Sequence, residues 1–307
     1  LGFDSVWSAE AWGSDAFSPL AYLAAHTSTI KLGTGVVQLS GRTPTAAAMH
    51  AITVDHLSQG RLILGLGVSG PQVVEGWYGQ PFPKPIGRTR EFVSLVRQIL
   101  RREAPVTFKG EHYQLPLEGG SGLGKPLKLI VHPLRREIPI YLGAEGPKNV
   151  ALAAEICDGW IPLWYSPTRE EVYADSLVHA KPDFDIVVPV TVVQTDDLQK
   201  AYDMMRPSLG FYIGGMGAKD RNFHKELMGR MGYPAEAQKI QDLFFEGKRG
   251  EAIAAVPNAF IDDIALLGSK ERIRDRLAAW KESKARTLLV HAPSPEALKQ
   301  TADVLMG

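Results

Sequence analysis

The apolar positions of the chain follow two patterns that alternate along the sequence. Short runs that are apolar on both faces predict buried strands at residues 6–10, 30–38, 61–67, 138–142, 159–163, 186–193 and 287–291. Helical spacing predicts helices at residues 19–26, 43–58, 88–102, 147–157, 169–178, 196–209, 270–284 and 295–306. Because strands that alternate with helices form a parallel sheet, the pattern predicts an α/β protein.

Two stretches interrupt this alternation. Residues 104–137 carry a hairpin pattern followed by a Gly/Ser-rich turn at 119–124, and residues 210–260 are mostly helical, with a turn at 214–217 and no further strand before 287. We interpret both as insertions in a single domain that spans residues 1–307. The acidic pair Asp262 and Asp263 is expected to cap a helix.

The stretch 138–159 predicts a strand, a tight turn and a helix in succession. Gly143 and Gly146 bracket the turn, and Pro147 stands at the expected first position of the helix. Such a turn directs free backbone N–H groups and the positive end of a helix dipole towards one point, which favours an anion, most often a phosphate. An ordinary strand-to-helix connection without a ligand stays open, because short glycine patterns also match by chance.

Charge and cysteine content narrow the function classes. Lys+Arg and Asp+Glu are equal at 34 each, so no net field favours nucleic acid or an anionic membrane, and a small-molecule partner is expected. Cys157 is the only cysteine, which excludes an intramolecular disulfide and fits a reducing compartment. No apolar run reaches the roughly 18–20 residues of a membrane span, so we expect a cytoplasmic protein. No metal-ligand spacing or nucleophilic triad pattern is present, and no metal is expected.

The residues that follow the predicted strands are rich in glycine and aromatic side chains and poor in acid/base pairs. In parallel α/β folds the carboxyl ends of the strands form the site. This composition suits a flat ring that lies against backbone and supplies the chemistry itself.

Five segments, read in order, resemble one known family: Gly-Phe-Asp-Ser-Val-Trp at 2–7, Ile-Lys-Leu-Gly-Thr-Gly-Val at 30–36, Gly-Arg-Leu-Ile-Leu-Gly-Leu-Gly at 60–67, Ile-Pro-Ile-Tyr-Leu-Gly-Ala at 138–144 and Ile-Cys-Asp-Gly-Trp at 156–160. The chain resembles the luciferase-like monooxygenase superfamily, most closely its members that use the deazaflavin F420. The resemblance implies a (β/α)8 TIM barrel with insertions, a homodimer, and a cofactor at the carboxyl ends of the strands. It also implies a further strand before Leu1, so the first strand is expected to be missing from this sequence.

Matched position by position, the resemblance implies that Glu10 faces the deazaflavin ring and that the bond between Gly35 and Val36 is a cis peptide supporting it. The turn at 143–149 would bind the phosphate, provided that the acidic Glu145 points away. The cofactor-binding set is Glu10, Gly35, Val36, Gln38, Ser69, Gly70, Gly143, Ala144, Glu145, Gly146, Lys148 and Asn149. The candidates for substrate contact are Trp12, Trp77, Tyr78, Trp164, Tyr165 and His291.

The function implied is transfer of a hydride between C5 of F420 and a small organic substrate. Related sugar-phosphate dehydrogenases place a histidine and a glutamate where this chain has Ala11 and Pro71, so we do not expect alcohol oxidation and assign no catalytic residue. Two alternatives stay open: an FMN-dependent two-component monooxygenase, and a barrel that binds a cofactor without catalysis.

Overall fold

The computed structural model describes residues 1–217, 219–220 and 222–307. Within these ranges one parallel sheet contains nine strands and a separate antiparallel hairpin contains two. The sheet strands are β1 (Ser5–Ser8), β2 (Lys31–Thr34), β3 (Val37–Gln38) and β4 (Leu62–Gly67), then, after the hairpin strands β5 (Phe108–Lys109) and β6 (Gln114–Leu115), β7 (Ile140–Gly143), β8 (Gly159–Ile161), β9 (Asp185–Gln194), β10 (Ala265–Gly268) and β11 (Thr287–Val290). The predicted α/β class and parallel sheet are confirmed.

Helices connect the strands and cover the outer face of the sheet. They are α1 (Phe17–His26), α2 (Pro44–Leu57), α3 (Pro71–Gly76), α4 (Pro85–Arg101), α5 (Pro147–Ile156), α6 (Leu198–Gly215), α7 (Phe223–Arg230), α8 (Pro234–Phe245), α9 (Arg249–Ala254), α10 (Asn258–Ile264), α11 (Lys270–Glu282) and α12 (Pro295–Leu305). Some of these helices begin at a residue whose side chain caps the first turn. At α2, for example, the Thr43 hydroxyl accepts the Ala46 N–H and Pro44 occupies the first turn.

The strands run in the order β1-β2-β4-β7-β8-β9, and the ten-residue β9 pairs in turn with β8, β11 and β10. The sheet is strongly curled. Trp7 on β1 and Tyr141 on β7 have ring centroids 6.1 Å apart, although two strands lie between them in the sheet. In a flat sheet three strand spacings would separate them by about 14 Å. The carboxyl ends of the strands therefore surround one opening of the curled sheet, which we call the mouth.

Inside the curl, Ile63, Tyr141, Ile161 and Val187 form a small buried cluster against Trp7, Val36 and Leu289. A larger core lies between the sheet and the helices and includes residues from Ala16 to Val304. In the part of the chain that is described, no pairing links β1 with β11, and the sheet has nine strands, whereas seven were predicted within this sequence. The eight-stranded barrel and its missing first strand stay predictions. None of the described helices is both long and apolar enough to cross a membrane.

Several predicted elements differ from the structure. The single strand predicted at 30–38 is divided into β2 and β3 by the cis bond between Gly35 and Val36. The helix predicted at 169–178 is two short 3₁₀ segments, Glu170–Tyr173 and Asp175–Leu177. Strand β10 was not predicted, and α6 continues through the turn expected at Gly214 and Gly215.

Two stretches depart from the alternation of strands and helices, and their interpretation as insertions in a single domain stays a prediction. Residues 104–137 contain the predicted hairpin, β5 and β6, which pairs outside the main sheet. Residues 210–260 contain α7, α8 and α9, between β9 and β10. The acidic pair does not cap a helix: both residues lie in α10, where Asp262 pairs with Arg272 and Asp263 with Arg169.

Candidate functional site

Glu10 and Arg42 form a largely buried ion pair at the mouth of the curled sheet. Their two contacts are both 2.7 Å long, and the side chains are 6% and 14% exposed. The Gln38 N–H donates to the same carboxylate at 2.9 Å. Both carboxylate oxygens are therefore engaged, and Glu10 braces the segment 38–42. Its position facing the deazaflavin ring stays a prediction. Arg42 itself was missed, since one arginine in a loop carries no local pattern.

Gln38 is held by this brace in a fixed orientation. Its side-chain Nε2 donates to the Glu10 backbone carbonyl at 3.3 Å, and the residue is 7% exposed. Its Oε1 is buried without a hydrogen-bond partner in the described residues. A buried acceptor of this kind favours a ligand that offers an N–H or O–H donor.

Val36 occupies the centre of the mouth. The predicted cis bond between Gly35 and Val36 is present, and Glu10 N–H donates to the Val36 carbonyl at 3.2 Å. The Val36 side chain lies directly against the backbone of Gly67, at the end of β4: a Cβ on Gly67 would lie 2.4 Å from Val36 Cγ2. A Cβ on Gly143, at the end of β7, would lie 3.1 Å from Val36 Cγ1. The absence of side chains at both strand ends gives Val36 its place.

The turn between β7 and α5 has the geometry expected of an anion site. The carbonyl of Gly146 accepts the N–H groups of Asn149 and Val150, which starts the helix. The N–H groups of Glu145, Gly146 and Lys148 have no acceptor among the described residues. Unpaired N–H groups at a helix N-terminus attract an anion through hydrogen bonding and through the helix dipole.

Glu145 points from this turn towards the end of β8. Its Oε1 accepts the Leu163 N–H, and its Oε2 is buried with no partner in the ranges described. Burial raises the pKa of this carboxyl to about 8, with the Leu163 N–H and the charge of Arg230 opposing the shift. Lys148 is exposed, and Asn149 has a buried, unpartnered Oδ1.

Helix α7, from the second insertion, covers this turn. A Cβ on Gly146 would lie 3.2 Å from the Phe223 ring, so only glycine fits there without displacing the ring. Phe223 was not predicted, because nothing in its own sequence neighbourhood indicates a contact with Gly146, 77 residues earlier in the chain. The insertion therefore contributes a wall to the site.

Ser69 and Gly70 follow β4 beside the mouth. Ser69 has a left-handed backbone with φ of 58°, and the Gly70 carbonyl accepts the N–H groups of Val73 and Val74 at the start of α3. This bend sets the direction of the backbone after β4. The contact of Ser69 and Gly70 with the cofactor stays a prediction.

The aromatic candidates divide into three groups. Trp12 and Trp77 are 61% and 65% exposed, and His291 is exposed directly after β11. Tyr78 lies against Gly41, next to the ion pair, and burial raises its pKa.

The other two aromatic candidates are buried. Trp164 is 6% exposed and packs against the insertion through Tyr212, His224 and Phe260. Tyr165 is 1% exposed, stacks on the Tyr173 ring and donates a hydrogen bond from its hydroxyl to the Glu170 carboxylate. It therefore lies in the core and not at the mouth, so the substrate contact expected from the sequence is wrong for this residue.

The sequence profile of the luciferase-like monooxygenase family matches residues 1–287. The chain belongs to this family. A protein of Mycobacterium tuberculosis, provisionally named a coenzyme F420-dependent oxidoreductase, is 52% identical over 98% of this chain and 90% of its own length. A 5,10-methylenetetrahydromethanopterin reductase of Archaeoglobus fulgidus is 30% identical over 96% of this chain and 86% of its own length. The predicted oxidoreductase of this family is confirmed.

The fold has a solved counterpart. The structure of a coenzyme F420-dependent tetrahydromethanopterin reductase from Methanopyrus kandleri superposes with a TM-score of 0.77 at 22% identity, covering 99% of this chain and 90% of its own. At that identity the likeness establishes the architecture, a curled parallel sheet with outer helices.

Proposed function

We propose that the protein is an F420-dependent oxidoreductase that transfers a hydride between C5 of the deazaflavin and a small organic substrate. The observation that carries this proposal is the 52% identity, over nearly the full length, to a protein named for F420-dependent oxidoreduction. The site supports it independently, since it offers a flat apolar support, an unpaired acceptor and an anion-binding turn at one mouth.

The residues at the mouth fit a ring with an anionic tail. The Val36 side chain supports one face of the ring, and Gln38 Oε1 accepts a hydrogen bond from its polar edge, held in place by the pair of Glu10 and Arg42. The N–H groups of Glu145, Gly146 and Lys148 bind the phosphate, with the Lys148 ammonium near it. The bound deazaflavin would supply the hydride chemistry at C5.

The exposed residues Trp12, Trp77 and His291 form the rim that we propose for the substrate, with Tyr78 and Trp164 deeper in the wall. Their role is to exclude water and to place the substrate at near-attack distance, about 3–3.5 Å from the reacting carbon. Aromatic surfaces of this kind suit an organic substrate with an apolar body.

Titration with two cofactors tests the cofactor assignment. We expect F420 to quench the tryptophan fluorescence of the purified protein at submicromolar concentration, with FMN binding at least tenfold more weakly. Submicromolar FMN binding without F420 binding would overturn the proposal in favour of a monooxygenase. Tight F420 binding with no hydride transfer in a screen of donors and acceptors would support a barrel that only binds the cofactor.

We further propose that the protein acts in the cytoplasm as a homodimer. The single cysteine supports a reducing compartment, and the dimer follows from the family resemblance. Sedimentation velocity of the purified chain tests the second point: a single species at the monomer mass of 33.6 kDa would contradict it.

A further inference from the structure

Glu145 is an unusual residue for an anion-binding turn. Its own N–H and those of Gly146 and Lys148 are the donors that we assign to the cofactor phosphate, yet its side chain adds a carboxyl to the same turn. The carboxyl does not reach solvent, since Oε2 is buried without a partner and Oε1 accepts the Leu163 N–H. A buried carboxylate without a cation in contact is far more costly than the neutral acid.

The groups around the carboxyl do not neutralise it. Arg230 on α7 acts on it electrostatically without a direct salt bridge, and Tyr173, whose hydroxyl donates to the Trp164 carbonyl, is a neutral neighbour from the 3₁₀ segment. His224, also on α7, is buried with its pKa lowered to about 4 by desolvation, and so carries no positive charge at neutral pH. Lys148, on the same turn, is exposed to solvent.

We propose that Glu145 is a positioning residue that couples cofactor binding to protonation: the turn accepts the anionic group while Glu145 is the neutral acid, and disfavours it once Glu145 ionises. This inference rests on the proposed function, because it takes the anion to be the phosphate of the cofactor.

Electrostatics sets the expected size of the effect. Two like charges about 6 Å apart, at an effective dielectric constant of about 20, weaken binding about a hundredfold. Because burial raises the pKa of Glu145 to about 8, ionisation takes place in a pH range that an intact protein tolerates. With that coupling, linkage predicts that the dissociation constant rises about tenfold between pH 7 and pH 9.

The test is the affinity for F420 at pH 7, 8 and 9, measured by tryptophan quenching on the full chain and on two variants. We expect about a tenfold loss for the wild type. Glu145→Gln should lose less than twofold between pH 7 and pH 9, because the glutamine side chain does not ionise in this range. Glu155→Gln, at an exposed position on α5, the helix that follows this turn, should show the same pH dependence as the wild type. The ligand is the same in all three titrations, so its own ionisation cancels from the comparison.

A second readout measures the proton directly. Calorimetric titration at pH 8 in two buffers of different ionisation enthalpy should show uptake of a fraction of a proton by the wild type on binding F420, and none by Glu145→Gln. Tight F420 binding with the same pH profile in all three proteins, or with no difference in proton uptake, would overturn the coupling while leaving the proposed function intact. Failure of F420 to bind at any of these pH values would instead contradict the proposed function itself.

Discussion

At the scale of single residues, Glu145 should also change how stability depends on pH. The pKa of its carboxyl is raised from 4.5 to about 8 in the folded state, so the folded protein binds the proton more tightly than the unfolded chain. The resulting stability is fully present below pH 4.5 and is lost as the pH rises through about 8, by up to about 1.4 kcal/mol per pH unit.

This loss is measurable as a difference between two proteins. We expect the free energy of unfolding of the wild type, from urea titrations at pH 5, 6, 7 and 8, to fall relative to that of Glu145→Gln at each step. Comparing the two removes the contribution of the other titrating groups. Parallel curves for the two proteins would show that the carboxyl ionises normally.

The pair of Glu10 and Arg42 is the second residue-scale feature with a defined outcome. Replacing Arg42 by methionine leaves a carboxylate that is 6% exposed without its cation, which typically costs about 3–5 kcal/mol. The double variant Glu10→Gln with Arg42→Met should recover part of this loss, since neither side chain is then charged. Thermal denaturation compares the wild type, Arg42→Met and the double variant. Equal destabilisation of the two variants would mean that the unpaired Glu10 carboxylate does not cause the loss of stability.

At the scale of elements, the mouth depends on the close approach of the Val36 segment to the end of β4. Because a Cβ on Gly67 would lie 2.4 Å from Val36 Cγ2, Gly67→Ala should destabilise the protein by about 1–3 kcal/mol through overpacking. Adding Val36→Ala removes Cγ2 and leaves the nearest atom, the Val36 Cβ, at 3.3 Å.

The double variant should therefore be more stable than Gly67→Ala alone, as measured by urea denaturation. If Val36→Ala instead lowers the stability of Gly67→Ala further, contact with Val36 Cγ2 is not what excludes a side chain at position 67.

The sequence predicts the elements best where their pattern is long and has clear ends. It places α2 and α4 within three residues at each end, because an apolar face recurs over three or more turns. It fails at β10, which begins at the residue after α10 ends, so that the apolar run from Ile264 to Leu267 shows no break between the helix and the strand. It also fails to divide 30–38 into β2 and β3, because the apolar run continues across the break between Thr34 and Val37.

The site shows the same division. The turn at 143–149 and the cis bond at Gly35 could be placed from the sequence, because glycine, proline and the family pattern mark them. Arg42 and Phe223 could not, since their contacts with Glu10 and Gly146 exist only after distant parts of the chain pack together. The burial that removes Tyr165 from the site is likewise a property of packing.

At the scale of the whole molecule, the curl of the sheet brings the strand ends together, and the insertion at 210–260 closes one side through α7. In this arrangement the side chains at the mouth brace the backbone, support the proposed ring and cover the turn before α5. The chemistry is therefore assigned to the bound ring. The central claim is that one cofactor spans from Val36 to the N-terminus of α5.

A crystal structure with F420 bound tests that claim most directly. We expect the deazaflavin ring against Val36 with Gln38 Oε1 at its polar edge, and the phosphate within hydrogen-bond distance of the N–H groups of Gly146 and Lys148. A phosphate bound away from the turn at 143–149, or a ring that does not contact Val36, would contradict it.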